Sequence, residues 1–142
     1  MKIPFTTLWA AGFLLMYGVT KVVFATYMIL VNTVLGPATG PGSLLLLNSV
    51  DLLLGIITAI AAVFWFARRT WAHQLIRFGS GALVLYELGR ALGLEAGGAA
   101  TASSIGEVVK TLAVLLLLVS AWLSANSSAS EVYFNSDRSN TR

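Results

Sequence analysis

The chain has 142 residues, of which 57% are hydrophobic and 11% are charged, and its mean hydropathy is +0.82. A soluble surface is usually about a quarter to a third charged, so this composition excludes disorder and argues against an ordinary soluble domain. The net charge of +3 comes from few residues and forms no basic stripe, which argues against nucleic-acid binding. Without cysteine and with a single histidine, the chain has no thiol chemistry and little means to build a metal centre.

Long apolar runs dominate the sequence. They cover about residues 8–34, 43–67, 75–94 and 105–125. Each run approaches or exceeds the ~20 residues that cross a hydrocarbon core at ~1.5 Å per residue. The stretches 52–67 and 111–125 contain no charge, so the second and fourth helices would have no polar face for water. The sequence therefore predicts an all-α integral membrane four-helix bundle over residues 1–125.

The first run has one alternative interpretation, a cleaved signal peptide. Lys21 interrupts its apolar core and the apolar pattern continues beyond any cleavage point, so a membrane helix is the preferred interpretation. Glycine and proline between residues 36 and 42 separate the first two helices. The connection 68–74 is short, which makes the second and third helices antiparallel neighbours. Residues 126–142 are rich in serine and asparagine and predict a polar, flexible tail.

Loop charge predicts the orientation of the helices. Arg68 and Arg69 form the most basic connection, whereas the loop 36–42 is uncharged. Because basic loops stay in the cytoplasm, we expect both termini there, in a bacterial or archaeal cytoplasmic (inner) membrane. The tryptophans fall near the cytoplasmic ends of the helices, as in an interfacial aromatic belt, although some of them could be packing residues. They are Trp9, Trp65, Trp71 and Trp122.

Six ionisable residues lie inside or just within the predicted helices. They are Lys21, Asp51, Glu87, Arg90, Glu107 and Lys110. A charge at the centre of a membrane helix costs about 2.5–3.5 kcal/mol on insertion scales, so these side chains should turn away from lipid. Helical spacing places Tyr17 on the face of Lys21 and Asn48 on the face of Asp51.

We therefore predict an intramembrane polar cluster in the outer half of the bundle, with Lys21 and Asp51 at the floor of an outward-facing pocket. The alternative for the pairs Glu87 with Arg90 and Glu107 with Lys110 is a structural role, because pairs near an interface reach water or hold helices together.

Small residues indicate where helices approach each other. Gly89 and Gly93 form a small-xxx-small pattern on the third helix, and Ser120 and Ser124 form another on the fourth. Such a pattern is typical of close helix packing, either within the chain or between two copies of it.

Two motifs resemble those of a known family. Gly18-Val19-Thr20-Lys21 in the first helix and Asp51-Leu52-Leu53-Leu54-Gly55 in the second, followed by a basic turn, resemble the DoxX-like family of small four-helix membrane proteins. Members typically show Gly-x-x-Lys in the first helix and an acidic residue three before a glycine in the second. Here Asp51 stands in place of the glutamate, and its glycine follows at four residues.

The resemblance implies an integral membrane subunit rather than a self-sufficient enzyme. Some relatives are associated with quinone-linked oxidation of sulfur compounds or with membrane oxidoreductase assemblies, and others are similar to assembly factors for larger membrane proteins. Carried over by position, the expectation of a functional role falls on Lys21 and Asp51.

The preferred function is a non-catalytic accessory or assembly subunit of a larger membrane complex, including a respiratory or redox-linked one. Its expected partners are the lipid bilayer, other membrane subunits or a second copy of the chain. One alternative is a small ion-coupled transporter that uses the outward-facing polar pocket. The other is a quinone-binding oxidoreductase subunit, with Lys21 or Tyr17 as the hydrogen-bond donor. No cofactor is certain, and a quinone or a bound lipid is the candidate ligand.

The sequence shows none of the constellations of hydrolytic or transferase chemistry. A Ser-His-Asp set, a metal-spaced histidine cluster and a glycine-rich phosphate loop are missing. His73 lies in the predicted basic turn, where contact with lipid headgroups is its expected role. We therefore expect no catalytic residue and no metal ligand.

Overall fold

A computed structural model describes residues 3–34, 42–91 and 105–135 of the chain. These residues are organised as helices, which confirms the predicted all-α class. The elements in chain order are α1 (Phe5–Val34), α2 (Gly42–Phe66), α3 (Thr70–Ala91), α4 (Ile105–Ala125) and α5 (Ser128–Asn135).

The first four helices follow the apolar runs, with shifts at their ends. α1 begins earlier than expected because the helix starts directly after Pro4, whose carbonyl accepts the Leu8 N–H at 3.1 Å. α3 begins at Thr70 rather than at residue 75, since an apolar run marks the hydrocarbon zone and a helix can extend beyond it. The end predicted for the third run, residues 92–94, lies outside the described residues.

The turn between α2 and α3 has a defined backbone geometry. Arg68 has a φ of 55°, in the left-handed region. Its N–H donates to the Trp65 carbonyl at 2.9 Å and the Arg69 N–H donates to the Phe64 carbonyl at 3.1 Å. This pair of bonds is a Schellman motif, which ends α2 by satisfying carbonyls that the helix itself leaves free. Arg69 is exposed at this turn.

The helices pack in a cycle, with α1 against α2, α2 against α3, α3 against α4, and α4 against α1. The buried core is rich in alanine, which lets helix backbones approach one another. Its members include Ala10, Ala11, Leu14, Ala61, Ala62, Trp65, Leu118 and Ala121. Many large side chains outside this core point outward, and Phe78 and Leu116 are 75% and 71% exposed.

Two helices of the described residues are long and apolar enough to cross a membrane. They are Phe5–Val34, with a mean hydropathy of 1.8, and Leu46–Phe66, with 2.1. In the most apolar 18-residue stretch of each helix, only 17% and 33% of the residues are buried, whereas the core helix of a soluble protein would be mostly buried. In α4 the apolar segment Val109–Ala125 is shorter. Length and composition thus favour a membrane protein through α1 and α2.

The C-terminal segment departs from the predicted flexible tail. Residues Ser128–Asn135 form α5, whose first turn is capped by the Ser127 hydroxyl, 3.4 Å from the Ser130 N–H. Phe134 is 4% exposed and lies against Trp65 and His73, with ring centroids 5.9 and 4.4 Å away. Tertiary packing of one aromatic side chain orders a segment whose polar composition alone predicted disorder. Residues 136–142 lie outside the described part.

The tryptophans divide into two groups. Trp65 is fully buried against His73 and Phe134, so it is a packing residue, as the alternative allowed, and not a member of an exposed interfacial belt. Trp9, Trp71 and Trp122 are each more than one third exposed. The indole of Trp9 donates to the Ser120 hydroxyl at 3.2 Å, which joins α1 to α4.

Candidate functional site

The site begins with a close approach of α1 and α2 at two glycines. A Cβ atom on Gly18 would lie 2.8 Å from the Gly55 carbonyl oxygen and 2.7 Å from the Ala59 nitrogen. A Cβ atom on Gly55 would lie 2.9 Å from the Gly18 carbonyl oxygen. Because no other residue fits between these backbones, glycine is required at both positions. The glycines of the two sequence motifs therefore bring together the helices that carry Lys21 and Asp51.

Lys21 extends from α1 toward both α2 and α3. Its Nζ lies 2.8 Å from Asp51 Oδ1 and 2.5 Å from Glu87 Oε1. The Lys21 side chain is only 16% exposed, so these two carboxylates replace most of the hydrogen bonds that water would otherwise make with the ammonium group.

Asp51 is the most buried member of the group, with 4% of the residue exposed. Its Oδ1 also accepts the Tyr86 hydroxyl at 3.1 Å, and its Oδ2 accepts Arg90 Nη1 at 2.7 Å. Both oxygens of this carboxylate are thus engaged, by side chains from α1 and α3.

Glu87 and two tyrosine rings complete the arrangement around Lys21. The Tyr17 hydroxyl donates to Glu87 Oε1 at 2.5 Å. The Lys21 Nζ lies 5.7 Å from the centroid of the Tyr17 ring and 5.5 Å from that of the Tyr86 ring. At these distances a ring face attracts a cation, which adds to the stabilisation of the buried ammonium.

Lys21, Asp51, Glu87 and Arg90 form what we call the four-charge network. Its two cations and two anions balance, and the salt bridges run between helices. Removing such charges from water costs several kcal/mol each, and only pairing with additional hydrogen bonds compensates. The network has ion pairs and additional hydrogen bonds from the tyrosines, which makes it suited to fixing α1, α2 and α3 in one register.

The network lies toward one end of the helix assembly. Asp51 follows the start of α2 by about 13 Å, and Glu87 and Arg90 lie in the last two turns of α3. This is the end opposite the Arg68–Arg69 turn. Its chemical capacity is ion pairing, and no group of three potential metal-ligating side chains occurs among the described residues.

Of the predicted polar cluster, the structure brings together Lys21, Asp51, Glu87, Arg90 and Tyr17. It leaves Lys110 exposed on α4, outside the network, so the expectation that Lys110 turns inward is wrong. Lys110 lies near the start of its helix, where a long side chain can reach the aqueous interface. Asn48 is half-buried one turn before Asp51, and the contacts described within the network do not include it. The side chain of Glu107 lies outside the described residues.

Two further sequence interpretations change. An added Cβ on Gly89 meets no heavy atom within 4 Å, so among the described residues Gly89 makes no close helix contact, and Gly93 lies outside that part of the chain. Gly81, in contrast, packs against the Trp122 ring, whose Nε1 lies 3.4 Å from a built Cβ. Sequence reasoning missed Tyr86. Its position four residues before Arg90, on the same helix face, is the signal that could have identified it.

No known protein family, curated protein or solved structure matches the chain. The resemblance to the DoxX-like family therefore stays a prediction based on the motif residues. The close approach of Gly18 and Gly55 beside Lys21 and Asp51 gives those motif residues a shared structural role, whatever the ancestry of the chain.

Proposed function

We propose that this chain is an integral membrane four-helix bundle that acts as a non-catalytic accessory or assembly subunit of a larger membrane complex. Both termini face the cytoplasm of a bacterial or archaeal cell. One observation carries the proposal. The four-charge network is satisfied within the chain, while the side chains around the helices are apolar and exposed.

The outward surface supports insertion of the helices into a membrane. Exposed large apolar side chains occur along each of α1–α4, and Phe24, Leu53 and Leu85 are examples from three of them. A contiguous apolar surface of this kind is a liability in water and marks contact with lipid or with other membrane helices. The apolar stretches of α1 and α2 provide the length needed to span.

The network supports a structural role for the buried charges. Asp51 accepts from three side chains and Lys21 contacts two carboxylates, so these charges are paired with one another inside the chain. Buried ion pairs are weak contributors to net stability, but removing one partner is costly, which makes a pairing pattern specific. A rigid apolar body held in one register suits a subunit on which other membrane helices assemble.

Mild detergent extraction of native membranes tests the proposed role. A C-terminally tagged chain should be recovered in a stoichiometric complex with other membrane proteins. A monodisperse particle that contains this chain alone, at native expression level, would contradict the proposal.

Orientation can be tested separately, because the chain has no cysteine. A membrane-impermeant maleimide added to intact cells should label Thr39→Cys and leave Arg69→Cys unlabelled until the cells are lysed. The reverse labelling would mean that the basic turn lies outside, contrary to the positive-inside rule.

An ion-coupled transporter is the second candidate, favoured by ionisable groups in the middle of a long apolar helix. In that case Asp51→Asn should abolish flux in reconstituted vesicles and leave the fold intact. A quinone-binding subunit makes a different prediction, in which quinone copurifies with the wild type and not with Lys21→Met. Flux or quinone binding of the chain alone would displace the accessory role.

A further inference from the structure

A cavity of about 450 Å³ lies between α2 and α3 and is lined almost entirely by apolar side chains. Its walls run from Val50 to Ala61 on α2 and from Leu75 to Tyr86 on α3, and Leu14 of α1 also lines it. Its volume lies within the ~300–1,000 Å³ of typical ligand sites. We call this cavity the α2–α3 groove.

Polar atoms in the groove are already bonded to protein. The Thr58 hydroxyl donates to the Leu54 carbonyl at 2.7 Å and the Ser80 hydroxyl donates to the Ile76 carbonyl at 2.6 Å. The Tyr86 hydroxyl, at the far end, is bonded to Asp51. A ligand in this groove would therefore gain no strong hydrogen bond along its length, which favours a hydrocarbon chain over a polar molecule.

The groove is about half as long as the hydrocarbon core of a bilayer is thick, a length that one acyl chain can occupy. Each wall covers 11 residue steps along its helix, which at 1.5 Å per residue is about 16 Å. The hydrocarbon core of a bilayer is ~30 Å thick, so one leaflet contributes about half of that. In the proposed orientation the groove begins about 9 Å beyond Arg69, at Leu75, crosses the middle of α3 and ends beside the network, at Tyr86.

The end of the groove at Leu75 lies about 9 Å along α3 from an exposed arginine, Arg69. Arg69 is exposed at the α2–α3 turn, about one and a half helical turns before Leu75. Anionic headgroups of the cytoplasmic leaflet are attracted to such residues close to the membrane surface. Charge near one end and an apolar groove beyond it together match the two parts of a phospholipid.

We propose that the α2–α3 groove binds one acyl chain of a phospholipid of the cytoplasmic leaflet, with its headgroup at Arg69. This inference rests on the proposed membrane orientation. Gly79 keeps the groove open, since it lines the cavity and a Cβ built on it meets no heavy atom within 4 Å. A larger side chain at Gly79 would occupy the space of the acyl chain without displacing protein atoms.

Photo-crosslinking with a phosphatidylglycerol that carries a diazirine on one acyl chain tests the proposal in nanodiscs of the full chain. Mass spectrometry of the wild type should locate adducts at Leu54 and Leu83 in the groove, in excess over outward-facing Leu53 and Leu85. Gly79→Leu should reduce groove adducts at least fivefold. Gly89→Leu is the matched control, because Gly89 also has open space around its Cβ but does not line the groove.

The outcomes separate the inference from the proposed function. Adducts at Leu53 and Leu85 without excess in the groove would overturn lipid binding and leave membrane insertion standing. No adducts at any of these positions would contradict membrane insertion itself. Absence of groove adducts together with a dimer of the detergent-solubilised chain in native mass spectrometry would overturn the lipid in favour of a dimer contact. If Gly79→Leu does not fold by circular dichroism, Gly79→Ala replaces it, with an expected loss of about twofold.

Discussion

The two ends of the helix assembly are built from different interactions. At one end the four-charge network pairs every charge that it buries. At the other end Trp65, His73 and Phe134 stack on one another, and two buried ring nitrogens, Trp65 Nε1 and His73 Nε2, have no hydrogen-bond partner among the described residues. Unpaired buried polar atoms reduce stability. The stacked end therefore combines ring packing with hydrogen bonds and an exposed Arg77–Glu131 ion pair, whereas the network end pairs charges that are largely buried.

The largest effect is expected at the network. Asp51→Ala removes the shared partner of Lys21 and Arg90 and leaves buried positive charge uncompensated. Removing one partner of a buried ion pair lowers the free energy of unfolding by about 3–5 kcal/mol. Equilibrium unfolding in mixed detergent, monitored by circular dichroism, measures this loss of stability.

Lys110→Ala is the control for this variant, because Lys110 is exposed and lies outside the network. Its unfolding free energy should stay within about 0.5 kcal/mol of the wild type. Equal stability of Asp51→Ala and Lys110→Ala would show that the network does not hold the helices together.

The next effect is expected at the helix crossing beneath the network. Gly18→Ala places a methyl group against the backbone of α2, where no flexible side chain can move aside. Overpacking of this kind costs about 1–3 kcal/mol, and it should also weaken the Lys21–Asp51 contact by moving α1 outward. Thermal unfolding of the purified protein measures the loss.

Gly12→Ala provides the comparison, since a Cβ on Gly12 meets no heavy atom within 4 Å. It should leave stability unchanged or raise it by up to about 1 kcal/mol, because alanine is the better helix former. If both variants behave alike, the close approach of α1 and α2 is not a feature of the folded protein.

How far the sequence predicts the fold depends on the kind of signal. Apolar runs located α1–α4 because lipid-like surroundings demand continuous hydrophobicity, and α4 was predicted with the bounds that it has. α5 was missed, since its eight residues are polar on average and their order comes from Phe134 and Ser130, which contact residues far away in sequence. Local composition does not predict contacts between residues that are distant in sequence.

The same distinction applies to the site. The cost of burying charge in an apolar helix predicted that Lys21 and Asp51 would turn inward, and the structure brings them together. The cost does not specify which charges pair, so Lys110 was included in error and Tyr86, which is uncharged, was omitted. Pairing depends on helix rotation and crossing, which the glycines at 18 and 55 help to determine.

A smaller effect is expected where α5 docks on the stacked end. The Ser130 hydroxyl is buried, donates to the Ser124 carbonyl at 2.9 Å and lies 3.1 Å from the Thr7 hydroxyl. Ser130→Ala should cost about 1 kcal/mol and speed hydrogen exchange of the α5 amides without affecting α2. Ser128→Ala, at an exposed position, should leave exchange unchanged, and equal acceleration in both variants would argue against a specific role for Ser130.

The smallest effect is a pH dependence confined to the stacked end. The pKa of His73 is lowered from its usual 6.5, first by burial and also by nearby Arg77, against the opposing effects of a hydrogen bond to the Ala125 backbone and of Glu131. The folded state therefore favours the neutral ring, which stacks on Phe134. Its contribution to stability is complete above pH 6.5 and is lost as the pH falls from there through the lower pKa of the folded state.

Hydrogen exchange of the α5 amides should thus accelerate between pH 7 and pH 5, after correction for the intrinsic pH dependence of exchange. His73→Phe keeps an aromatic ring beside Phe134 and removes the titrating group, so its corrected exchange should not change with pH. Because the chain has one histidine, loss of the dependence in this variant assigns it to His73. The same acceleration in His73→Phe, or slower exchange at pH 5 in the wild type, would mean that protonation of His73 does not release α5.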